Sequence, residues 1–386
     1  MAAEACTELL HRLLAGEDPP TSLIEQAMVE DEGRAMFAVV VERLADLFEP
    51  RHCDSYARLF ARVLQITDPS QDADAIVERY GRVRQRAAYA AGEPETVVVL
   101  SRVTLGADVA VTSVVLNALH RRFPRAAICF AGPEKNFELF SGMRGLQHLP
   151  LSYPRHGGLK EKLSRRPVLT IRPRTLVIDP DSRLTQLGML PVCPEENYVF
   201  FESRAYRADS ALPLRALTAL WTAEVFGEAG KPFVAPQASS MPCDVAVSFG
   251  TGGNPVKRVD GAFEAQLLHY LCELGLTVLL DGGAGGEETA RARAAAESLS
   301  RVTLYEGPFA PFASAIGRAR LYVGYDSAGA HVACATGTPA VCVFRGYPSE
   351  RFLQRWRPGG PGRATVLTDG PELLARTCSS VDALLV

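Results

Sequence analysis

One stretch near the C-terminus constrains the fold more than any other part of the chain. It runs from Arg320 to Phe344 and reads RLYVGYDSAGAHVACATGTPAVCVF. Two short apolar runs predict buried strands, and the small-residue segment between them predicts a packed helix that ends at a Gly-Thr-Pro turn. Strand, helix and strand in this order predict a βαβ unit of a parallel sheet. The polar residues after the first strand therefore lie where open α/β sheets bind ligands.

The start of the helix in this unit can be interpreted in two ways. Asp326 and Ser327 could simply cap the helix, and His331 could simply pack inside it. Alternatively, the free N–H groups and the dipole of the helix N-terminus favour an anion such as the diphosphate of a nucleotide. A D-S-x-G motif alone favours capping, so the rest of the chain must decide.

Composition and charge narrow the class of protein. A length of 386 residues with 47% hydrophobic residues predicts two or three domains with substantial cores. A net charge of −3 without a run of Lys or Arg gives no indication of nucleic-acid binding. Nine scattered cysteines without CxxC spacing indicate reduced thiols rather than disulfides or zinc ligands. With no signal-peptide pattern and no apolar run of about 18 residues, we expect a cytoplasmic protein without a membrane span.

Three regions differ in their hydrophobic pattern. Residues 1–92 show apolar residues at helical spacing and predict an all-helical domain for packing, partner binding, self-association or acceptor recognition. Strands and helices alternate over residues 93–235, and again over residues 240–386 after a Pro- and Ser-rich linker at Lys231 to Pro242. The sequence therefore predicts an α/β fold of two Rossmann-like, doubly wound domains that face a cleft, with a helical N-terminal extension.

The alternation also gives approximate bounds for the elements. The predicted strands are Thr96 to Leu100, Ala127 to Ala131, Thr175 to Ile178, Asp244 to Phe249, Thr277 to Asp281, Val302 to Tyr305, Leu321 to Val323, Ala340 to Phe344 and Ala364 to Leu367. The predicted helices of the α/β part are Val109 to Arg122, Leu212 to Phe226, Gly261 to Glu273, Glu287 to Leu299, Pro311 to Gly317, Ala328 to Ala335 and one from Glu372 onward. We expect the tail after Pro358 to pack back across the domains.

The loop after the first predicted strand carries a candidate general base. It reads SRVTLGAD, and Gly106 turns the chain into a helix that has Asp108 at its start. A carboxylate that projects into the cleft from this position could accept a proton from a hydroxyl nucleophile. The alternative is that Asp108 only caps its helix.

The loop after the first strand of the second alternation is rich in glycine. It reads SFGTGGNPVKR and is neither a Walker A motif nor G-x-G-x-x-G. Its glycines would let the backbone approach a phosphate, while its hydroxyls and lysine would supply hydrogen bonds and charge. A flexible glycine loop is an equally good interpretation. The candidate phosphate-binding residues are Ser248, Gly250, Thr251, Gly252 and Lys257.

The next loop, DGGAGGEE, places Glu287 and Glu288 at a helix start. An acid in this neighbourhood of a doubly wound domain often meets the ribose hydroxyls of a nucleotide, so Glu287 is a candidate ribose ligand. The alternative is that both acids only favour the positive end of the helix dipole.

The order of these features resembles the GT-B glycosyltransferases of the bacterial lipopolysaccharide heptosyltransferase family, glycosyltransferase family 9. DSAGAH, at Asp326 to His331, and the following ACATGTP are similar to the family's D-S-G-x-x-H-x-A-x-A-x-G-T-P. DVAVTSVVLNALHRRFP, at Asp108 to Pro124, is similar to the family's G-D-V-x-x-T-x-P-x-x-x-A-L followed by Phe-Pro. The resemblance covers roughly residues 95–358 and excludes the helical N-terminus.

The chain departs from the family pattern at several positions. Ala107 separates Gly106 from Asp108, where the family usually has Gly and Asp adjacent. Val114 replaces the usual proline of the first helix, and Ala328 stands where the family often has glycine.

The resemblance implies an inverting transferase that moves a sugar from a nucleoside-diphosphate sugar to an acceptor hydroxyl, with no metal and no cofactor. Asp108 would be the catalytic base, and Lys257 would balance the charge of the leaving diphosphate. The implied donor-binding residues are Ser248, Gly250, Thr251, Gly252, Lys257, Glu287, Asp326, Ser327, Ala328, Gly329 and His331.

Two loops of the first α/β domain supply candidate acceptor contacts. RHGGLK is rich in donors and DPDSR ends a predicted strand, so both could bind an acceptor that carries phosphate or carboxylate. A solvated basic loop is the alternative for the first. The residues are Arg155, His156, Lys160, Asp181 and Arg183. The acceptor could be a glycan, a lipid-linked molecule, a protein or a small molecule, and a membrane-bound acceptor would call for peripheral association with the inner face of the membrane.

Two other functions stay open from the sequence. A GT-B enzyme such as a 2-epimerase would use a nucleotide sugar without transferring it, and a degenerate transferase would act as a binding or scaffold module. An enzyme should lose turnover but keep donor binding when Asp108 is replaced by Asn, whereas a binding module has no turnover to lose.

Overall fold

The computed structural model describes residues 3–85, 87–165, 167–239, 241–259, 261–283 and 285–385. Sheet A contains β1 Thr96–Leu100, β2 Ala127–Gly132, β3 Leu146–Pro150, β4 Thr175–Asp179 and β5 Tyr198–Phe200. All neighbouring strands of sheet A are parallel, in the order β3-β2-β1-β4-β5. The strand order reverses between β1 and β4, which is the type of position where doubly wound sheets open a crevice.

Sheet B repeats this topology in the second half of the chain. It contains β6 Val245–Ser248, β7 Val278–Asp281, β8 Val302–Tyr305, β9 Leu321–Tyr325, β10 Ala340–Phe344 and β11 Ala364–Thr368. The strands are parallel, in the order β11-β10-β9-β6-β7-β8, so the order reverses between β6 and β9. The predicted α/β fold with two doubly wound sheets is confirmed.

Helices surround both sheets. Those before sheet A are α1 Glu4–Ala15, α2 Thr21–Val29, α3 Glu42–Asp46, α4 Pro50–Thr67 and α5 Ala73–Val83, and a π-helical segment at Met36–Val41 leads into α3. Those of sheet A are α6 Leu105–Ala107, α7 Ser113–Arg122, α8 Glu134–Phe137, α9 Leu159–Ser164 and α10 Leu214–Phe226, with a π-helical turn at Asp108–Thr112 between α6 and α7. Those of sheet B are α11 Phe263–Glu273, α12 Gly286–Ala295, α13 Phe309–Ile316, α14 Ala328–Thr336, α15 Glu350–Trp356 and α16 Leu373–Leu385.

The N-terminal helices α1 to α5 cover one face of sheet A. Along β1, Val98 and Leu100 face the same apolar core as the buried side chains of α1 and α4, while Val97 and Val99 face the opposite side. The opposite face is covered by α7 and α10. A parallel sheet needs apolar cover on both faces. The helical extension therefore has a packing role, and its expected roles in partner binding, self-association and acceptor recognition stay predictions.

Helix α4 shows why this region folds as it does. Pro50 stands at the first helical position, where its missing N–H costs no hydrogen bond. Tyr56, Phe60 and Val63 then follow at spacings of four and three residues and form one buried stripe. The hydroxyl of Tyr56 donates a hydrogen bond to the carbonyl oxygen of Gln186 at 3.0 Å, which ties the helix to the loop after β4.

The two α/β domains share a continuous apolar core. Trp221 of α10 and Phe312 of α13 are both buried in it, together with small residues of α14. Arg355 of α15 is 1% exposed and donates from its Nη1 to the carbonyl oxygen of Leu212 at 2.7 Å. Its Nη2 donates to the carbonyl oxygens of two further residues in the loop before α10. These contacts join α15 of the second α/β domain to the loop before α10 of the first.

The C-terminal tail differs from the expectation. Both β11 and α16 belong to sheet B, and Leu373 and Val381 of α16 pack in the same core as Leu268 of α11. The prediction that the tail crosses back between the domains is wrong for these two elements, because their apolar side chains complete the outer layer of sheet B. In the described part of the chain, no helix combines the length and the apolar character that spanning a membrane requires.

Phe60→Ala tests whether the N-terminal helices and sheet A fold as one unit. Phe60 is fully buried and its ring stacks on Tyr56 at 5.5 Å, so its removal should lower the free energy of unfolding by about 3–5 kcal/mol. Calorimetry should show one cooperative transition at a lower temperature. A separate low-temperature transition with the main one unchanged would show an independent helical domain. Leu274→Ala, at a side chain that is 45% exposed, is the control that should change little.

Candidate functional site

A lysine and a carboxylate meet at the point where the strand order of sheet B reverses. Lys257 lies in the loop after β6 and Asp326 directly follows β9. The Lys257 Nζ donates to the Asp326 Oδ2 at 2.7 Å and to the Asp326 carbonyl oxygen at 3.1 Å. The Lys257 side chain is 20% exposed. The structure thus places an accessible cation in the crevice where ligands of doubly wound sheets bind.

The N-terminus of α14 lies beside this pair and has no side-chain cap. Ser327 occupies the N-cap position with extended backbone, but its side chain accepts no hydrogen bond from the helix. The Ser327 Oγ instead pairs with the hydroxyl of Tyr322 at 3.2 Å, and the Asp326 carboxylate is engaged by Lys257. The capping alternative is therefore not what the structure shows. The first N–H groups of α14 and the positive end of its dipole are available to an anion.

The glycine-rich loop after β6 folds onto two carboxylates of its own domain. The backbone N–H and the hydroxyl of Thr251 both donate to Glu288 Oε1 at 2.9 Å. The hydroxyl of Ser248 donates to Asp281 Oδ2 at 2.9 Å, and burial raises the pKa of that aspartate. Because the Thr251 amide already has a partner, it faces a carboxylate rather than the free space that a diphosphate would need.

Glu288 rather than Glu287 faces this loop. The Glu287 side chain is 88% exposed and lies 3.8 Å from the Nη1 of Arg258. Two consecutive acids at a helix start point about 100° apart. The sequence alone could not show which of them turns toward the glycine loop, so Glu288 was missed as a site residue.

Gly329 and His331 sit deeper in α14. A Cβ on Gly329 would overlap the ring of Tyr322, so this glycine allows the helix to approach its own sheet. His331 is buried, with its ring centroid 6.1 Å from that of Trp356. Burial lowers the pKa of His331 to about 4, so the imidazole is neutral at pH 7. Only Ser327 and Ala328 of the predicted helix-start residues are half-exposed beside Lys257.

Asp108 lies in the core instead of the cleft. Its side chain is fully buried, and its carboxylate accepts four hydrogen bonds at 2.5–2.7 Å. The donors are the Ser101 hydroxyl, the Arg102 backbone N–H, the Thr112 hydroxyl and the Asn136 amide. Burial raises the pKa of Asp108, although these donors act in the opposite direction. The prediction that this carboxylate projects into the cleft is therefore wrong. The carboxylate instead connects the turn after β1 to the π-helical turn and to α8.

A cavity of about 210 Å³ lies at the carboxyl edge of sheet A. Its walls come from three parts of the chain: the α3 region, the loops after the strands of sheet A, and Trp356 of α15. Ala107, the residue before Asp108, is part of the lining. The charged residues of the lining are Arg102, Arg155, Lys162, Arg183, Arg204, Glu42, Asp46 and Asp181.

Three of the predicted acceptor residues line this cavity and two do not. Arg155, Asp181 and Arg183 are in its lining. His156 is exposed outside it, and Lys160 lines a different groove of about 680 Å³ beside α4 and α5. The smaller cavity contains three of the five residues, so it is the better candidate for an acceptor site.

Arg155 also joins the cavity to the donor side. Its Nη2 donates to the carbonyl oxygen of Gly252 in the glycine-rich loop at 3.0 Å. Gly252 has a φ of 64°, a conformation that glycine adopts without strain. The hydrogen bond therefore joins a predicted acceptor loop of the first α/β domain to a predicted donor loop of the second.

Several charges in the cavity are paired, but donor capacity remains. Arg204 Nε donates to Asp181 Oδ2 at 3.0 Å, and Arg183 Nη2 donates to Glu42 Oε2 at 2.6 Å. The buried Nη1 of Arg183 and Nε of Arg102 have no hydrogen-bond partner within the described residues. Guanidinium groups that retain unused N–H donors in a cavity suit a phosphate or carboxylate ligand.

The described residues contain no group of three or more His, Cys, Asp or Glu side chains arranged to hold a metal ion.

The nine cysteines are free thiols, and their positions are spread over all three regions of the chain.

Comparison with known proteins agrees with this geometry. Residues 237–362, about a third of the chain, match the family model of glycosyltransferase family 9 (heptosyltransferase). This segment contains Lys257, Asp326 and α14. No match was found among curated proteins. The predicted resemblance to the family is confirmed for this part of the chain, and it supports the assignment as a glycosyltransferase.

Solved structures extend the likeness beyond this segment. The E. coli heptosyltransferase WaaC with ADP has a TM-score of 0.54 and 16% identity, covering 75% of this chain and 98% of that one. A family 9 glycosyl transferase from Veillonella parvula has a TM-score of 0.56 and 15% identity, covering 76% and 97%. E. coli ADP-heptose lps heptosyltransferase II has a TM-score of 0.52 and 18% identity, covering 75% and 98%. The predicted GT-B fold is therefore confirmed.

Asp108→Asn should destabilise the protein. The new amide group would face the Ser101 hydroxyl or the Asn136 amide, both of which donate to the present carboxylate. A buried donor without an acceptor costs about 1–3 kcal/mol, so chemical denaturation should give a free energy of unfolding lower by this amount. An unchanged stability would show that the carboxylate network is not structural. Asp74→Asn, at an exposed position in α5, is the control.

His331 should make the protein less stable in acid. Its folded pKa of about 4 lies below the ordinary value of 6.5, so the unfolded state binds the proton first and stability falls as the pH drops through this window. The contribution of His331 at pH 5 should be about 2 kcal/mol relative to pH 7. The measurement is denaturation of wild type and His331→Gln at both pH values. An equal pH dependence in the two proteins would contradict a neutral buried imidazole.

Proposed function

We propose that the protein is an inverting glycosyltransferase that moves a sugar from a nucleoside-diphosphate sugar to an acceptor hydroxyl. The observation that carries this proposal is the position of Lys257, which pairs with Asp326 directly before the uncapped N-terminus of α14 at the β6/β9 crevice. This site lies within the segment that matches glycosyltransferase family 9.

The diphosphate would bind where these two positive groups converge. Lys257 carries a full charge, and the helix start contributes N–H donors and roughly half a charge. Asp326 holds the Lys257 ammonium in place at 2.7 Å before the donor arrives. A preorganised cation and dipole stabilise the charge that develops on the leaving diphosphate, which makes departure of the nucleotide easier. We propose that these groups do this without a resident metal or cofactor.

The transfer itself would be a single displacement. The acceptor oxygen forms its bond to the anomeric carbon on the face opposite the leaving group, while the bond from that carbon to the diphosphate oxygen breaks. The configuration of the carbon is thereby inverted. The reaction also needs a base for the proton of the acceptor hydroxyl. Asp108 was the sequence-based candidate, but its burial and four hydrogen bonds leave it without access to the cleft.

The acceptor would be an anionic molecule bound in the cavity at the edge of sheet A. The cavity is lined by five basic and three acidic side chains, and Arg102 and Arg183 retain unused donors. A glycan or a lipid-linked acceptor with a phosphate or carboxylate has the matching chemistry. For a lipid-linked acceptor, a cytoplasmic enzyme would work at the inner face of the membrane.

The nucleotide of the donor is best sought by starting with ADP. Among the similar structures, the E. coli heptosyltransferase WaaC was solved with ADP. We propose a nucleoside-diphosphate sugar with ADP as the first candidate, and no residue described above selects one sugar over another.

A binding module without turnover is the second candidate function. Ala107 lines the cavity where a carboxylate would be expected, and Asp108 is turned away from it. These two observations favour a protein that binds a nucleotide or glycan without transferring a sugar, unless another carboxylate serves as the base.

A nucleotide-binding measurement tests whether the proposed donor site exists. Thermal unfolding should be measured with ADP, GDP, UDP, CDP and dTDP, each with and without Mg²⁺. At about a hundredfold excess over Kd, a bound nucleotide stabilises the protein by about 2.7 kcal/mol. One nucleotide should raise the unfolding temperature, and Lys257→Ala should abolish the shift.

Lys160→Ala is the matched control, because Lys160 lines a groove that contains neither Lys257 nor any residue of α14, and its loss should leave the shift intact. If no nucleotide shifts the transition, or if Lys257→Ala shifts as wild type does, the proposed donor site is contradicted.

A further inference from the structure

The first helix of sheet A presents no carboxylate to the cavity. Ala107 is part of the cavity lining, whereas the next residue, Asp108, is fully buried on the core side. One step along a helix rotates a side chain by about 100°. The base for the proposed transfer must therefore come from another element of the cavity wall.

Three carboxylates line this cavity, and two of them are engaged by arginines. Asp181 is fully buried against Arg204 at 3.0 Å, and Glu42 accepts from Arg183 at 2.6 Å. Burial acts to raise the pKa of Asp181, but the neighbouring guanidinium groups outweigh it and hold the pKa below its ordinary value. A carboxylate held ionised in this way is a weak proton acceptor.

Asp46 is the third carboxylate, and its position differs from the other two. It is the last residue of α3, so the helical N-terminal region supplies it to the cavity wall. Within the described residues its carboxylate forms no hydrogen bond and no ion pair. It shares the cavity with Ala107, with Arg183 of the acceptor side and with Trp356, which contacts α14 through His331.

The charges around Asp46 come from both sides of the site. Burial and the neighbouring Glu42 raise the pKa of Asp46 to about 7, while Arg183, Lys257 and Arg43 act to lower it. Lys257, the cation of the proposed diphosphate site, is thus one of the charges that act on Asp46. A carboxylate with a pKa near neutral pH is well matched to accept a proton at that pH.

We infer that Asp46, contributed by the N-terminal helical region, is the general base of the proposed sugar transfer. The inference rests on the proposed function. It supplies a base in place of Asp108, whose buried carboxylate does not reach the cleft. The Asp46 carboxylate is part of the wall of the cationic cavity proposed to bind the acceptor, so an acceptor hydroxyl bound there would be beside it.

The step balances without any further reactant. The Asp46 carboxylate takes the proton of the acceptor hydroxyl as that oxygen bonds to the anomeric carbon. The bond from the carbon to the diphosphate oxygen breaks, and its electron pair leaves with the nucleoside diphosphate beside Lys257. The products are the glycoside, the nucleoside diphosphate and a protonated Asp46, which returns its proton to solvent.

The fold comparison is consistent with a base on an added element. The E. coli heptosyltransferase WaaC is covered over 98% of its length, whereas a quarter of this chain has no counterpart there. That share is about the size of the helical region that precedes sheet A.

The test compares Asp46→Asn with wild type in sugar transfer and in nucleotide binding. The transfer assay follows release of nucleoside diphosphate from the sugar donor whose nucleotide gives the thermal shift, with anionic glycans as acceptors. Loss of a general base should lower kcat by about 10²–10⁴-fold. Nucleotide binding and the unfolding temperature should stay within the wild-type range, and Asp46→Glu should recover part of the rate.

The pH profile separates a base from a structural role. Wild-type kcat should fall below about pH 7, since protonation of Asp46 removes the acceptor of the proton, and the acidic limb should be absent from the residual activity of Asp46→Asn. Asp74→Asn, an exposed acid of the same region, should keep both rate and profile. If Asp46→Asn keeps the wild-type rate and limb, the inference is overturned and the transferase proposal stands. If wild type neither binds a nucleotide nor releases one, both are overturned.

Discussion

The need to cover both faces of a parallel sheet determines much of this structure. Within its own α/β domain, sheet A has long helices on one face only, namely α7 and α10. The segments after β2 and β3 form only the short helices α8 and α9. The apolar side chains of the opposite face, such as Val98 and Leu100, would otherwise meet water. Burial of such a face is strongly favourable. The N-terminal helices supply the missing layer.

This packing places the end of the helical region at the functional edge. Helix α3 lies at the carboxyl edge of sheet A, and Phe48 just after it packs its ring 6.3 Å from that of Trp356. Arg351 of α15 donates to the carbonyl oxygen of Phe48 at 3.1 Å. The helical region thus contacts both α/β domains. A layer that the sheet requires for stability also forms one wall of the cavity, and that wall contains Asp46.

The sequence predicted the sheets better than the site. Apolar runs such as Ala340 to Phe344 became strands with the predicted bounds, since every residue of such a run is buried in a central parallel strand. Strand β3, Leu146–Pro150, escaped prediction because it is a partly exposed edge strand that contains His148 and ends in proline. Strand β5 escaped because it has only three residues, Tyr198–Phe200.

The site could be located by its loops, but the orientation of single side chains could not be predicted. Lys257 and Asp326 followed from the rule that open α/β sheets bind ligands beyond the carboxyl ends of their strands. The orientation of the Asp108 side chain depends on a π-helical turn that the sequence pattern does not predict. Which of Glu287 and Glu288 faces the glycine-rich loop depends on the rotation of about 100° between consecutive helical residues. Asp46 carries no local signal, because its role arises only when α3 meets residues far along the chain.

The central claim is that one cleft, formed by both α/β domains and the helical region, holds the donor and the acceptor. A crystal structure with ADP and an anionic glycan tests it most directly. The account predicts the diphosphate within hydrogen-bond distance of Lys257 Nζ and the first N–H groups of α14, with a glycan hydroxyl beside the Asp46 carboxylate. A diphosphate bound away from Lys257, or a glycan outside the cavity that Asp46 lines, would contradict it.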